Sequence, residues 1–292
     1  MASFIWLKLG DVDNYIEPFF GGGSVLLSRP SWHTLNREII NDINHYLINF
    51  WRAMKYDPFE LAWRVHGPAS NAEVDACYNY LFNADLGKVR EDPEWFDIKA
   101  AAYWIIGMSA TIGSEFTMLG GDNCPSPIRK DGQQRQIGIL GSGQGVFRTE
   151  YKTLKDLEGY FDKLRDRIMN VRIFSRDWKS VVTPAVIGQG DIGIFLDPPY
   201  EMEGRDKLYA HDDGDTIAIE AAQWAVDNCN YRIIYAGYMS DKLNSIFPKE
   251  WERKPWKAQG GFSNANTKKD NLNREKETLW LSPPISNLDT LF

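Results

Sequence analysis

The chain has 292 residues, with 33 Lys and Arg against 40 Asp and Glu and a formal net charge of −7. That balance excludes a protein that holds nucleic acid by overall charge, so any such contact must use local basic patches. Hydrophobic residues at 43% and charged residues at 25% fit a globular chain, large enough for one domain carrying a sizeable insertion.

Asn14–Glu17 reads as a short strand running into the glycine-rich turn Pro18-Phe19-Phe20-Gly21-Gly22-Gly23-Ser24, and Val25-Leu26-Leu27 starts a helix. Glu38-Ile39-Ile40-Asn41-Asp42 reads as a second strand ending in an acid. Ile43, Leu47, Ile48, Phe50 and Trp51 then recur at helical spacing. This is the opening of a βαβ unit. From Tyr56 to Glu150 the character changes: helical patterns cover Ala72–Phe82 and Ile98–Ser109, followed by a tract from Thr111 to Gly145 rich in Gly, Ser, Gln and Pro. Residues 57–149 are therefore expected to form an inserted, mainly helical module, with 1–56 and 150–292 forming the sheet domain. Tyr151, Leu154, Leu157, Phe161, Leu164 and Ile168 make one apolar stripe, so a helix leads back to the sheet. Strands follow at Val171–Phe174, just before Asp177-Trp178, and at Ile192–Leu196. Then come a helix over Ile217–Val226, a strand at Tyr231–Ala236, and a last strand at Glu277–Leu281, whose alternation suits a sheet edge.

The most telling residues are Asp197-Pro198-Pro199-Tyr200, directly after the apolar strand Ile192–Leu196. A buried parallel strand delivers a carboxylate, two prolines and a ring to its carboxyl end, where open α/β sheets place ligands. The prolines cannot continue sheet or helix, which leaves carbonyls free to accept hydrogen bonds. A carboxylate, a carbonyl and a ring face suit a flat substrate carrying an amino group. The glycine turn lets backbone approach a ligand closely. It lacks the third spaced glycine of the dinucleotide fingerprint, and Glu17 beside it would repel a pyrophosphate but welcome an ammonium group. A tight structural turn explains the same residues equally well. Asp42 stands about twenty residues beyond the glycines, the place of a ribose-binding acid, or else it caps the helix from Ile43. Asp177 could accept from an adenine amine and Trp178 could cover its ring; an ordinary turn is the competing reading.

Cys77, Cys124 and Cys229 form no CxxC pair, and the four histidines form no pair at helical spacing. Neither a disulfide framework nor a metal site is expected, and free thiols predict a cytoplasmic protein. No signal peptide or membrane span is expected either.

The order of these segments, Glu-Pro-Phe-Phe-Gly-Gly-Gly, Asp42-Ile43-Asn44, an insertion, Asp177-Trp178 and Asp-Pro-Pro-Tyr, resembles the Dam-type family of DNA adenine-N6 methyltransferases. Glu277–Pro283 is similar to the terminal strand of its phage-type members. The likeness covers residues 10–57 and 150–283, with Ala101–Ser109 the similar part of the insertion. It implies a Rossmann-like α/β fold, S-adenosyl-L-methionine as cofactor and DNA, with a flipped base, as partner. It further implies that Asp197, Pro198, Pro199 and Tyr200 hold the amine. Glu17, Pro18, Phe19, Phe20, Gly21, Gly23, Asp42, Ile43, Asp177, Trp178 and Asp197 would line the cofactor, and residues near 111–148 would read sequence. Where the family carries an aromatic-Gly-Gly-Lys segment, this chain reads Met1-Ala2-Ser3-Phe4-Ile5-Trp6-Leu7-Lys8. Asp-Pro-Pro-Tyr does not separate adenine from cytosine. The alternatives are a cytosine-N4 or RNA-base methyltransferase, a DNA-binding relative that lost cofactor binding, and, disfavoured by the glycine spacing, a nucleotide-dependent oxidoreductase.

Overall fold

The structure, a computed structural model, describes residues 1–30, 37–67, 69–111, 116–119, 126, 146, 151–199, 214–256 and 277–284. In chain order the elements begin α1 (Ala2–Leu9), β1 (Asn14–Glu17), α2 (Ser24–Leu27), β2 (Arg37–Asn41), α3 (His45–Tyr56) and α4 (Pro58–Val65). They continue with α5 (Asn71–Phe82), α6 (Lys88–Glu91), α7 (Ile98–Ala110), α8 (Leu154–Ile168) and β3 (Arg172–Phe174). Last come α9 (Pro184–Ile187), β4 (Ile192–Leu196), α10 (Gly214–Asp227), β5 (Arg232–Tyr238), α11 (Asp241–Ile246), β6 (Glu252–Pro255) and β7 (Glu277–Leu281). The seven strands run in the order β3-β2-β1-β4-β5-β7-β6. β1 pairs parallel with β2 on one side and β4 on the other, β4 pairs parallel with β5, and β7 is antiparallel to both β5 and β6. This is a Rossmann-like α/β sheet whose direction of travel reverses between β1 and β4, the position where such sheets open a crevice.

Every residue of β1 and β4 is buried, as strands covered on both faces require. The expectation of an edge strand at Glu277–Leu281 is corrected: β7 lies between β5 and β6, and Thr278, the polar member of its alternation, is buried with its neighbours. The edge is β6, Glu-Arg-Lys-Pro, which sequence patterning missed. Its charges and terminal proline deter further strand pairing.

Among the described residues, one compact unit holds Met1–Asn41 and the chain from Trp178 on; the second holds Asp42–Asp177. In the first, the tryptophans serve mostly as core. Trp280 is fully buried, stacked on Phe247 at 5.2 Å, and Phe247 meets Trp251 at 4.9 Å. Helix α1 is also part of this core. Trp6 is buried, donates from Nε1 to the Val25 carbonyl at 2.7 Å, and packs on Tyr15 at 4.7 Å. Lys8 is taken up by Glu252 at 2.7 Å. Behind them Arg29, almost fully buried, pairs with buried Glu38 at 3.1 Å and with Asp11 at 3.2 Å, and stacks on Trp6.

The second unit is a helical cluster whose ends are set by side-chain caps. Asn44 caps α3, Asp57 with Pro58 starts α4, Ser70 and Glu73 form a capping box on α5, Asp97 caps α7, and Thr153 and Asp156 box α8. Helix α7 is apolar on nearly all sides and packs against α3, α4 and α5. Its Gly107 sits under the Phe116 ring, where a Cβ would come within 2.0 Å.

Candidate functional site at the sheet end

The carboxyl tips of β1 and β4 are neighbours because Ile16 pairs with Ile194 in the parallel register. The β1 tip carries Glu17, 2% exposed, which accepts a hydrogen bond from the Tyr15 hydroxyl at 2.8 Å. The two side chains share one face of the strand, being two residues apart. Burial first, and then the Glu17 charge, pushes the Tyr15 hydroxyl well above its ordinary range, so it stays a donor. Tyr15 was missed in the sequence; the period-2 spacing to Glu17 was the available signal.

The turn that follows is fixed at both ends. The Phe20 amide donates to the Asn41 carbonyl at 2.9 Å, the Asn41 side chain donates back to the Pro18 carbonyl at 3.0 Å, and the Gly23 amide donates to the Phe20 carbonyl at 3.0 Å. Gly23 has φ +70, and a Cβ there would lie 2.5 Å from the Phe20 ring. It is glycine for structural reasons. Gly21 and Gly22 differ: among the described residues an added Cβ would meet nothing within 4 Å, although Gly21 has φ +50. Their backbone borders open space among the described residues.

Phe19 is half-buried and faces Trp178 at 5.7 Å; Trp178 is 5% exposed and also meets Trp224 edge-on at 6.4 Å. Trp178 is thus a packed residue, and Phe19 is the more exposed member of the pair. At the β4 tip, Asp197 and Pro199 are half-buried and Pro198 is buried. Beside them Tyr235, opposite Leu196 on β5, donates its hydroxyl to the Ala218 carbonyl at 2.9 Å. Burial, followed by the nearby Asp197 charge, raises its ionisation far above the ordinary range. Tyr200 and the tract 127–145 lie outside the described residues, as does Cys124.

Asp42 and Asp177 belong to the second unit. The Asp42 side chain accepts from the Asn44 amide at 2.9 Å, and Asn44 rather than Asp42 caps α3, accepting from the Tyr46 and Leu47 amides. Ile43 is 38% exposed, and Asp177 is exposed. Among the described residues no group of three or more His, Cys, Asp or Glu could hold a metal, and no helix is long and apolar enough to cross a membrane.

A strand-tip acid beside a glycine turn thus stands at the reversal of a Rossmann-like sheet, the place where such sheets receive their ligands. Residues 5–112 match the family model of the D12 class of N6 adenine-specific DNA methyltransferases. The matched stretch runs from α1 through the glycine turn to α7, so it includes the helices that the resemblance covered least and stops short of Asp197. The chain is also 25% identical over 212 residues to a DNA N-6-adenine-methyltransferase of Escherichia phage P1, covering 71% of this chain and 24% of that relative. The chain spans about a quarter of the length of the curated relative it matches. In sequence, it is similar to adenine-N6 DNA methyltransferases.

Proposed function

We propose that this chain transfers a methyl group from S-adenosyl-L-methionine to the N6 amine of adenine in DNA. The observation that carries the reading is Asp197, half-buried at the tip of β4, one strand from the Glu17 and glycine turn of β1. The cofactor, when bound, supplies an electrophilic methyl on a sulfonium. Glu17 and the open backbone at Gly21 and Gly22 fit that positive charge, with Pro18, Phe19, Phe20 and Gly23 shaping the turn. The resemblance implies Asp42 and Ile43 at the ribose and Asp177 with Trp178 at the adenine ring.

An aromatic amine is a weak nucleophile because its lone pair is delocalised into the ring. The Asp197 carboxylate and the Pro198 carbonyl would accept its two N–H groups, drawing the nitrogen towards tetrahedral geometry and aiming the lone pair outward. Asp197 would take up the proton as it becomes acidic, while Pro199 keeps the segment stiff. Tyr200 would stack on the target base, which must leave the duplex to enter the pocket; extrusion costs a few kcal/mol, about what one or two stacking contacts return. Catalysis on this account is positioning and electrostatics. Residues 57–149 are proposed as the target-recognition module on a catalytic domain formed by 1–56 and 150–292.

Replacing Asp197 by Ala tests the assignment. Transfer of labelled methyl to DNA is expected to fall at least ~100-fold, with cofactor affinity by calorimetry nearly unchanged. Full activity in the variant would contradict the mechanism.

A further inference from the structure

A second feature lies wholly within the helical unit. A cleft of about 430 Å³ opens between the end of α3, the α6 segment and β3, lined by Arg52, Lys55, Arg90, Arg172 and Arg176, with Glu91 as the single acid among the described lining residues. In a chain of net charge −7, such a run of cations on one concave surface is a local field opposite to the global one. Its walls are tied together by the cations themselves. Arg52, 3% exposed, donates from Nη1 to the Asp92 and Trp95 carbonyls at 2.7 and 3.2 Å, and Lys55 donates to the Val171 carbonyl at 2.8 Å. These are neutral acceptors, so the bonds position the charges without cancelling them. Among the described residues, Lys55, Arg90 and Arg172 form no ion pair with a carboxylate, while the Asp92 charge acts on Arg52. Arg90, Arg172 and Arg176 are exposed at the rim. Tyr56, 48% exposed, lines the same cleft, its ring braced on Phe96 at 6.0 Å and 15°.

Guanidinium forks match phosphate oxygens in pairs. We infer that this cleft holds backbone phosphodiesters of the nucleic-acid substrate, with Arg90 and Arg172 making direct phosphate contacts over a floor fixed by Arg52 and Lys55. The inference rests on the DNA reading given above and adds a contact surface on the helical unit. Such contacts fix affinity and register and carry no sequence information. In sequence, the signal was the Arg52–Lys55 spacing on α3 together with the basic residues flanking β3.

The test is DNA binding by fluorescence anisotropy across a range of salt, comparing the full chain with the double variant R90E/R172E. Both sites are exposed, and circular dichroism checks the fold. The variant should bind a duplex oligodeoxynucleotide roughly 10–100-fold more weakly and show a salt slope smaller by about two, one for each lost phosphate contact. The conservative pair R90K/R172K should keep the slope. An unchanged slope in a folded R90E/R172E overturns the inference while leaving the methyltransferase reading intact. No DNA binding by the unmodified chain overturns both. Inorganic phosphate, compared with chloride at equal ionic strength, separates the two sources of phosphate. Specific displacement of the DNA by phosphate would mark a small-anion pocket and overturn the inference.

Discussion

The end of the sheet and the cleft of the helical unit present opposite charge and are built by opposite means. At the sheet end, carboxylates are held at buried strand tips: Glu17 is nearly inaccessible, and Asp197 ends a strand that is buried throughout. In the cleft, cations sit on a long helix, on a short helix and around a short strand, and three of them reach solvent. A methylsulfonium and an exocyclic amine call for acceptors in a water-poor setting, where each is worth most. A polyanion calls for exposed donors that exchange counterions. The net charge of −7 averages over both and describes neither.

Four changes break or sharpen this contrast. The largest effect is expected at the support of the sheet end. Arg29→Ala removes the buried Arg29–Glu38 ion pair and should cost about 3–5 kcal/mol in urea unfolding. Deleting Lys8, whose pair with Glu252 is exposed, should cost less than about 1 kcal/mol. Gly23→Ala comes next, because it combines a left-handed backbone with a clash against Phe20; the expected loss is about 1–3 kcal/mol by the same measurement. Gly22→Ala is the smallest for stability, within about 0.5 kcal/mol, since its Cβ points into open space. Cofactor affinity by calorimetry should nevertheless drop for Gly22→Ala. If Gly22→Ala keeps full affinity, the open side of the turn is not where the ligand lies.

The sheet was largely readable from sequence because β4 is a continuous apolar run and both central strands end in punctuation, at Glu17-Pro18 and Asp197-Pro198. The helices Asn71–Phe82 and Ile98–Ala110 were readable because their apolar periods are long. What escaped was set by tertiary pairing. β6 is three charged residues and a proline with no apolar period, and it is a strand only because β7 offers it an edge. Helix α1 carries no cap side chain, and its place depends on Trp6 reaching Val25. At the site, the acids and glycines stood out one by one. The division of labour between Gly23, which answers to Phe20, and Gly22, which faces open space, needs three-dimensional distances. The cleft was even less visible: Arg52, Arg90 and Arg172 are far apart in sequence and meet only through packing.

The most direct measurement is incubation of the full chain with radiolabelled S-adenosyl-L-methionine and mixed-sequence DNA, followed by hydrolysis to bases. Label recovered as N6-methyladenine is the predicted result. Label in N4-methylcytosine, or none in DNA from a folded protein that binds it, would contradict the claim that the β4 tip presents adenine's amine to a methyl donor.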